Sequence, residues 1–171
     1  MLRRLRRSGA CRDGRNVATG SYNHERNHLM TNATLTEIKP SQARLTHAEL
    51  CQFTGDLERF YHPLNRKVVY TPGVQYVAQV GQAYWLIDAI ASYFGSEPMN
   101  TAMQRDYRLQ SLQFWRLDVS DGSAVLTANA DVGEEPFIRQ EIPFTDFPLD
   151  HIEIWAGFDG NRWTLYLPSE H

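Results

Sequence analysis

The hydrophobic pattern of the chain changes its period near residue 109, and this change constrains the fold more than any other feature. Before it, apolar residues recur at the helical spacing of about 3.6 residues per turn; after it, apolar and polar residues alternate as in a strand. The alternating residues flank an Asp121-Gly122 turn: Trp115, Leu117 and Val119 before it, and Ala124, Leu126 and Ala128 after it. Helices followed by strands predict an α+β fold, with N-terminal helices packed on one face of a C-terminal antiparallel β-meander of about five strands.

The last two predicted strands form a hairpin whose register follows from counting residues. The segments HIEIWAGF and RWTLYLP flank Asp159-Gly160-Asn161, and a two-residue Gly160-Asn161 loop sets the pairs across it. On one side these pairs are Phe158 with Trp163, Ala156 with Leu165 and Ile154 with Leu167; on the other side Trp155 faces Tyr166. Another strand is predicted over Phe137–Pro143.

Local signals predict where the helices begin and end. The capping box THAE, residues 46–49, lies inside a hydrophobic staple of Leu45 and Leu50, so a helix is expected at about 46–53. A short second helical turn is expected over Asp56–Tyr61.

Proline and glycine mark the later helices. Thr71-Pro72 opens one, because proline is favoured at the first helical position. Gly81 either breaks this helix or lies inside one long helix. The next segment, AYWLIDAIASYFG, is apolar nearly all round, which is typical of a helix buried on most sides and stopped at Gly95. Pro98 indicates that another helix starts soon after.

Charge divides the chain into a basic head and an acidic remainder. Residues 1–29 contain seven arginines and two acidic residues, whereas residues 30–171 contain ten basic and 18 acidic residues. The head lacks an apolar face, so we predict a disordered arginine-rich extension over residues 1–39 and a single α+β domain over residues 40–171. Three explanations of the head stay open: an over-extended start with the true start at Met30, an organellar transit peptide, and a nucleic-acid-binding arm.

Composition excludes several classes of protein. Hydrophobic residues make up 42% of the chain, but no apolar run is long enough to span a bilayer. Cys11 and Cys51 are too few for a disulfide scaffold or a four-cysteine zinc site. We therefore expect a cytoplasmic protein without a membrane association or a cofactor.

Four stretches resemble a known family: QFTGDLERFYHPLNRKVVYTPGVQYVA, GQAYWLIDAIASY, LQFWRLDV and EIPFTDFPLDHIEIW. The family is an uncharacterised bacterial one, domain of unknown function 6876, and the resemblance covers about residues 45–167. It implies a small bacterial, cytoplasmic, single-domain protein, of the kind also found on plasmids and phages, and it favours a start at Met30. The resemblance implies no activity and no catalytic residue.

The candidates for metal or nucleophilic chemistry are weak. His47 and Cys51 are one helical turn apart and could hold one ion, with His62 as a candidate third ligand. Cys51 and His62 are also the candidate nucleophilic pair. The alternative, which we favour, is that Cys51 packs as a small apolar residue and that His47 lies on the surface. Neither a metal site nor a catalytic residue is predicted.

Asp88 is the most informative polar residue in the search for a site, because it lies within the most apolar helix and is expected to be at least partly buried. A buried carboxylate needs a partner, which we expect to be an arginine, a tyrosine hydroxyl or the free amides of another helix. The functional alternative is an acid or base in a pocket shared with Tyr84 and His62.

The second face of the predicted sheet gathers three aromatic residues, Phe114, Trp155 and Tyr166. Either a loop or the chain's own N-terminal segment covers them, or they form a protein-binding or homodimer surface. The leading hypothesis is therefore a non-catalytic protein-binding or regulatory domain. The alternatives are a small enzyme with a pocket near Asp88, and a nucleic-acid-associated factor that acts through residues 1–29.

Overall fold

The computed structural model describes residues 44–55 and 57–171. The predictions of an arginine-rich extension and of a start at Met30 fall on residues 1–43 and lie outside the described residues. Within the described part of the chain, four α-helices and a seven-stranded sheet are present, and this confirms the α+β class.

Helix α1, His47–Leu50, begins where the capping signals place it. The Thr46 hydroxyl accepts from the Glu49 amide at 3.3 Å, and the Glu49 carboxylate accepts from the Thr46 amide at 3.0 Å. The staple residues Leu45 and Leu50 are both buried. The helix is one turn long, shorter than predicted, because the amides of Gln52 and Phe53 donate only three residues back, as in a tighter 3₁₀ turn.

Two short strands follow α1: β1, Phe60–Tyr61, and β2, Val68–Tyr70, which pair antiparallel. The helical turn predicted over Asp56–Tyr61 is therefore wrong at its C-terminal end. Phe60 lies opposite Tyr70, and their rings stack with centroids 5.8 Å apart. A cross-strand aromatic contact thus replaces the contacts that a helical turn would have made.

Three longer helices come next, in the order α2, Pro72–Val80; α3, Tyr84–Tyr93; and α4, Glu97–Arg105. A 3₁₀ turn, Tyr107–Gln110, follows them. Gly81 separates α2 from α3, so the break is the observed alternative. A Cβ at Gly81 would lie 2.7 Å from the carbonyl oxygen of Val77, so a side chain does not fit there. Gly95 ends α3 with a φ of +97°, the left-handed conformation expected of a helix stop.

Five further strands complete the sheet: β3, Leu112–Ser120; β4, Ser123–Asn129; β5, Ile138–Ile142; β6, His151–Phe158; and β7, Trp163–Tyr166. The strand order is β1-β2-β7-β6-β3-β4-β5, and every neighbouring pair is antiparallel except β2 and β7, which are parallel. The prediction of a purely antiparallel sheet of about five strands behind N-terminal helices is thus wrong in part. Strands β1 and β2, of two and three residues, are too short to show the alternation by which a strand is recognised in a sequence. Because they precede α2 to α4 in the chain, these helices lie between strands of one mixed sheet and not before all of them.

The register of the last hairpin is confirmed where the ladder extends. The observed pairs include Phe158 with Trp163, Ala156 with Leu165, and Trp155 with Tyr166. The β3–β4 turn is also confirmed, since Asp121 and Gly122 have φ values of +52° and +75°. Two positive φ values are what a two-residue type I′ hairpin turn requires.

Among the described residues, the sheet has a covered face and an open face. The covered face packs into the hydrophobic core with Leu86 and Ile90 of α3, and its central residue, Trp115, is 0% exposed. The alternate side chains of β3, β4, β6 and β7 point to the opposite side, which we call the open face. Phe114 and Trp155 belong to this second set.

Candidate functional site

Three aromatic side chains meet on the open face. Phe114 lies directly opposite Trp155 on the neighbouring strand, and Trp155 lies opposite Tyr166. The ring centroids of Phe114 and Trp155 are 5.0 Å apart at an interplanar angle of 89°, and those of Trp155 and Tyr166 are 6.2 Å apart at 72°. Both contacts are edge-to-face, the favoured arrangement of aromatic pairs. The structure thus brings together the three residues that the sequence singled out, and we call them the aromatic ladder.

Residues that follow β7 cover part of the aromatic ladder. The ring of His171 stacks on Tyr166 with centroids 5.8 Å apart, and it meets Trp155 at 5.0 Å. The absence of a side chain at Gly157 leaves room for the Tyr166 ring, because a Cβ at this position would lie 3.2 Å from it. Burial raises the pKa of the Tyr166 hydroxyl. The expected cover was a loop or the N-terminal segment; the latter lies outside the described residues, and His171 is a cover that sequence reasoning missed.

Glu170 holds these last residues in place. Its carboxylate accepts from the Thr71 hydroxyl at 2.6 Å, from the Gly73 amide at 3.1 Å and from the Leu167 amide at 2.9 Å. Thr71 and Gly73 belong to the N-terminal end of α2, where an anion also interacts favourably with the helix dipole. The only sequence signal for this contact was a glutamate three residues after Leu167, at the spacing of a capping box.

A cavity of about 390 Å³ opens beside the aromatic ladder, between Phe114, Trp155 and the loop that precedes β5. Apolar and polar side chains both line it; they include Phe114, Trp155, Val132, Pro136, Arg116, Thr127, Asn129, Asp131, Glu134 and Glu153. The cavity therefore combines an aromatic wall with three carboxylates and one guanidinium group. Its volume lies within the range of small-ligand sites.

The arginines near the cavity are paired with carboxylates. Arg116 lies 2.8 Å from Asp118 and 2.9 Å from Glu153. Both hydrogen bonds raise the pKa of Arg116, and the bond to Asp118 contributes most. Arg108 in turn holds Glu134 at 2.9 Å, which fastens the loop. It also binds Asp106 at 2.7 Å, so two arginines are shared among four carboxylates and the net charge of this group is negative.

Asp88 is more exposed than the sequence led us to expect, since 58% of its side chain is accessible to solvent. The reason is that Tyr84, Asp88 and Ser92 form an exposed stripe of α3, while the core takes the other sides. The partner is also different from those expected, since His62 Nε2 lies 2.8 Å from Asp88 Oδ1. His62 is the buried member of this pair, only 4% exposed.

Both ring nitrogens of His62 are engaged. The amides of Leu64 and Asn65 donate to Nδ1 at 3.3 and 2.9 Å, so Nε2 carries the hydrogen and donates to Asp88. The tautomer follows from this network of partners. His62 therefore has no free nitrogen for a metal or for a Cys51 thiol. A cavity of about 500 Å³ lies nearby, but its lining includes His62 and Tyr61 and neither Asp88 nor Tyr84.

His47 and Cys51 both line a cavity of about 250 Å³, but Cys51 is exposed and not packed as expected, and the hydrogen-bond partners of His47 are other residues. Its Nε2 lies 3.2 Å from Asp150 Oδ1, and His151 Nδ1 lies 3.0 Å from the same oxygen. The hydrogen bond to His47, followed by the contacts with His151, lowers the pKa of Asp150. Sequence reasoning identified His47 and missed Asp150 and His151.

Comparisons with known proteins bear on the family of the chain and not on the candidate site. Among the residues that the structure describes, none of the helices is both long and apolar enough to cross a bilayer. Neither the curated proteins nor the solved structures contain a match to the chain. The family of unknown function DUF6876 matches residues 44–171, which confirms the resemblance seen in the sequence. The chain therefore belongs to the family of unknown function DUF6876.

Proposed function

We propose that this chain is a non-catalytic protein-binding domain that takes a basic segment of a partner protein on the open face of its sheet. The observation that carries the proposal is the aromatic ladder beside a carboxylate-lined cavity.

The apolar contribution comes from Trp155. It lies at the centre of the aromatic ladder, between Phe114 and Tyr166, and it also forms part of the cavity wall. Tryptophan and tyrosine are enriched among the few residues that dominate binding energy at protein interfaces. The edge-to-face contacts hold the indole ring in one position, so little side-chain entropy is lost on binding.

The charge favours a basic partner. Residues 44–171 contain nine basic and 17 acidic residues, a net charge of -8. Asp131, Glu134 and Glu153 bring part of this negative charge to the cavity itself. A lysine or arginine side chain placed there would interact with the carboxylates and with the face of the Trp155 indole. Complementary charge also raises the rate of association.

The size favours a segment over a folded domain. A cavity of about 390 Å³ accommodates a few side chains, and the ladder beside it offers an adjoining apolar contact. We also infer a bacterial and cytoplasmic setting, supported by the resemblance to bacterial sequences and by the few cysteines. A regulatory role, on a plasmid or a phage, belongs to the same proposal and depends on the partner.

The test is a selection of twelve-residue peptides from a random display library on the full chain, followed by fluorescence anisotropy with the selected peptides. We expect peptides that combine an apolar residue with arginine or lysine. Trp155→Ser should weaken their binding at least tenfold, and Glu153→Lys should slow association and reduce its dependence on salt. Phe144, which is 78% exposed and is not among the residues that line the cavity, supplies the control variant Phe144→Ser.

Four outcomes would contradict the proposal. In the first, the selected peptides would be acidic. In the second, they would bind Trp155→Ser as tightly as the wild-type chain, and in the third, Phe144→Ser would weaken their binding as much as Trp155→Ser does. A dimer in gel filtration that Trp155→Ser dissociates would also contradict it, because a second copy of the chain would then occupy the open face.

A further inference from the structure

We propose that His47, Asp150 and His151 form a binding site for a divalent transition-metal ion of the zinc class. The three residues come from two parts of the chain: His47 begins α1, whereas Asp150 directly precedes β6 and His151 begins it. The proposed binding function does not require this site, so each proposal can be tested independently of the other.

The distances within the cluster are those of a coordination shell. His47 Nε2 and His151 Nδ1 lie 3.2 and 3.0 Å from the same oxygen, Oδ1 of Asp150. In a tetrahedral zinc site with Zn–N and Zn–O bonds of about 2.0–2.2 Å, neighbouring ligand atoms are about 3.3 Å apart. Two edges of the shell thus already have the required length.

The third edge needs a small side-chain rotation. The ligand atoms of the cluster all lie within 4.8 Å of one another, and the two imidazole rings are tilted by 31° with centroids 4.6 Å apart. The side chains of His47 and His151 are 48% and 40% exposed, so either can turn toward an ion without displacing the core.

The chemistry of the ligands matches a borderline ion better than a hard one. Two imidazoles and one carboxylate suit zinc, nickel, cobalt or copper, whereas magnesium and calcium prefer all-oxygen shells. Metal binding requires an ionised carboxylate and an unprotonated nitrogen on each imidazole, so the two ring nitrogens that now face Asp150 give up their hydrogens when the ion binds. The backbone amide of His151 donates to the same carboxylate at 2.9 Å and helps to orient it.

The site is open on one side. It borders a cavity of about 250 Å³ that is also lined by Cys51 and Glu153. Cys51 is not part of the three-residue cluster, so we assign the fourth position to water. An ion there would tie α1 to β6, across a separation of 103 residues in the sequence.

The test is isothermal titration calorimetry of the full chain with zinc chloride, in a buffer without chelators, together with the visible spectrum of the cobalt-loaded chain. We expect His47→Ala and His151→Ala each to raise the Kd for zinc at least tenfold. The intense visible bands of four-coordinate cobalt should disappear in both variants. Both residues are partly exposed, and thermal melts will show that the variants stay folded.

The matched control is His171→Ala, which removes a described histidine outside the cluster. The proposal is overturned if the wild type binds zinc no better than His47→Ala, or if His171→Ala weakens binding equally. It is also overturned if Cys51→Ser raises the Kd as much as the histidine variants, because the ligand set would then be different. An equal response to magnesium would contradict the zinc class.

Discussion

Glu170 fastens the last described residues to the start of α2, and its removal gives the sharpest stability prediction. The variant Glu170→Ala loses three hydrogen bonds, from the Thr71 hydroxyl and from the amides of Gly73 and Leu167. Thr71 is only 1% exposed, so water cannot readily replace the carboxylate as the partner of its hydroxyl.

The magnitude follows from these contacts. Hydrogen bonds to a charged group contribute about 1.5–3 kcal/mol each, but contacts that share one carboxylate are not additive. We therefore expect Glu170→Ala to lower the free energy of unfolding by about 2–4 kcal/mol. Glu170→Gln keeps the shape and loses the charge, so its loss should be about half as large.

The assay is urea unfolding followed by tryptophan fluorescence, with linear extrapolation to water. Glu97→Ala is the matched control, because Glu97 also lies in the first turn of a helix but is exposed and, among the described side chains, accepts from Thr101 alone. We expect a loss below about 0.5 kcal/mol for this control.

Gly73 gives an independent check. A Cβ at this position would lie 2.6 Å from the Glu170 carboxylate and 2.8 Å from Leu167 Cδ1, so Gly73→Ala must displace the carboxylate. The double variant Gly73→Ala/Glu170→Ala should then lose less than the sum of the two single losses. A Glu170→Ala chain that is no less stable than the Glu97→Ala control would refute the reasoning.

Three further predictions concern the rest of the described chain. His62→Ala should lower the free energy of unfolding by about 2–4 kcal/mol, because two backbone amides lose their acceptor. Asp88→Ala should lower it by only about 0.5–1 kcal/mol, since water reaches that position. Equal losses in urea unfolding would contradict this difference. The amide of Arg162, followed by that of Asn161, lowers the pKa of Asp159, so its stabilising contribution is present above the unfolded pKa and is lost as the pH falls through the folded one. Asp159→Asn should therefore flatten the fall of Tm below about pH 4, and an unchanged slope in a pH series of thermal melts would argue against the assignment. Gly122→Ala should cost about 1–2 kcal/mol in the same unfolding assay, because the turn holds this residue at a φ of +75°, and a neutral effect would mean that the turn rearranges.

Local features of the fold could be predicted because neighbouring residues determine them. The cap at Thr46 depends on residues within one turn, and the hairpin register depends only on loop length and the two-residue period. The parallel pairing of β2 with β7 could not be predicted, since Val68 and Trp163 meet from opposite ends of the domain. Asp88 was misplaced because a tyrosine on the same stripe made an exposed helix face look apolar.

The candidate sites follow the same division. The aromatic ladder was predictable, because alternation places Phe114, Trp155 and Tyr166 on one side of paired strands. The cluster of His47, Asp150 and His151 was not, because only the tertiary fold brings α1 to the start of β6. Contacts of this kind leave no periodic signal in the sequence.

The position of β7 has a consequence for how the chain is made. The β1–β2 pair joins the rest of the sheet only through β7, which comes last of the seven strands in the sequence. During synthesis, β2 therefore keeps one row of amides and carbonyls unpaired until almost the whole domain has been translated. A ribosome that stalls before Trp163 would release a chain with β2 and β6 both left as open edges, a natural substrate for chaperones and proteases.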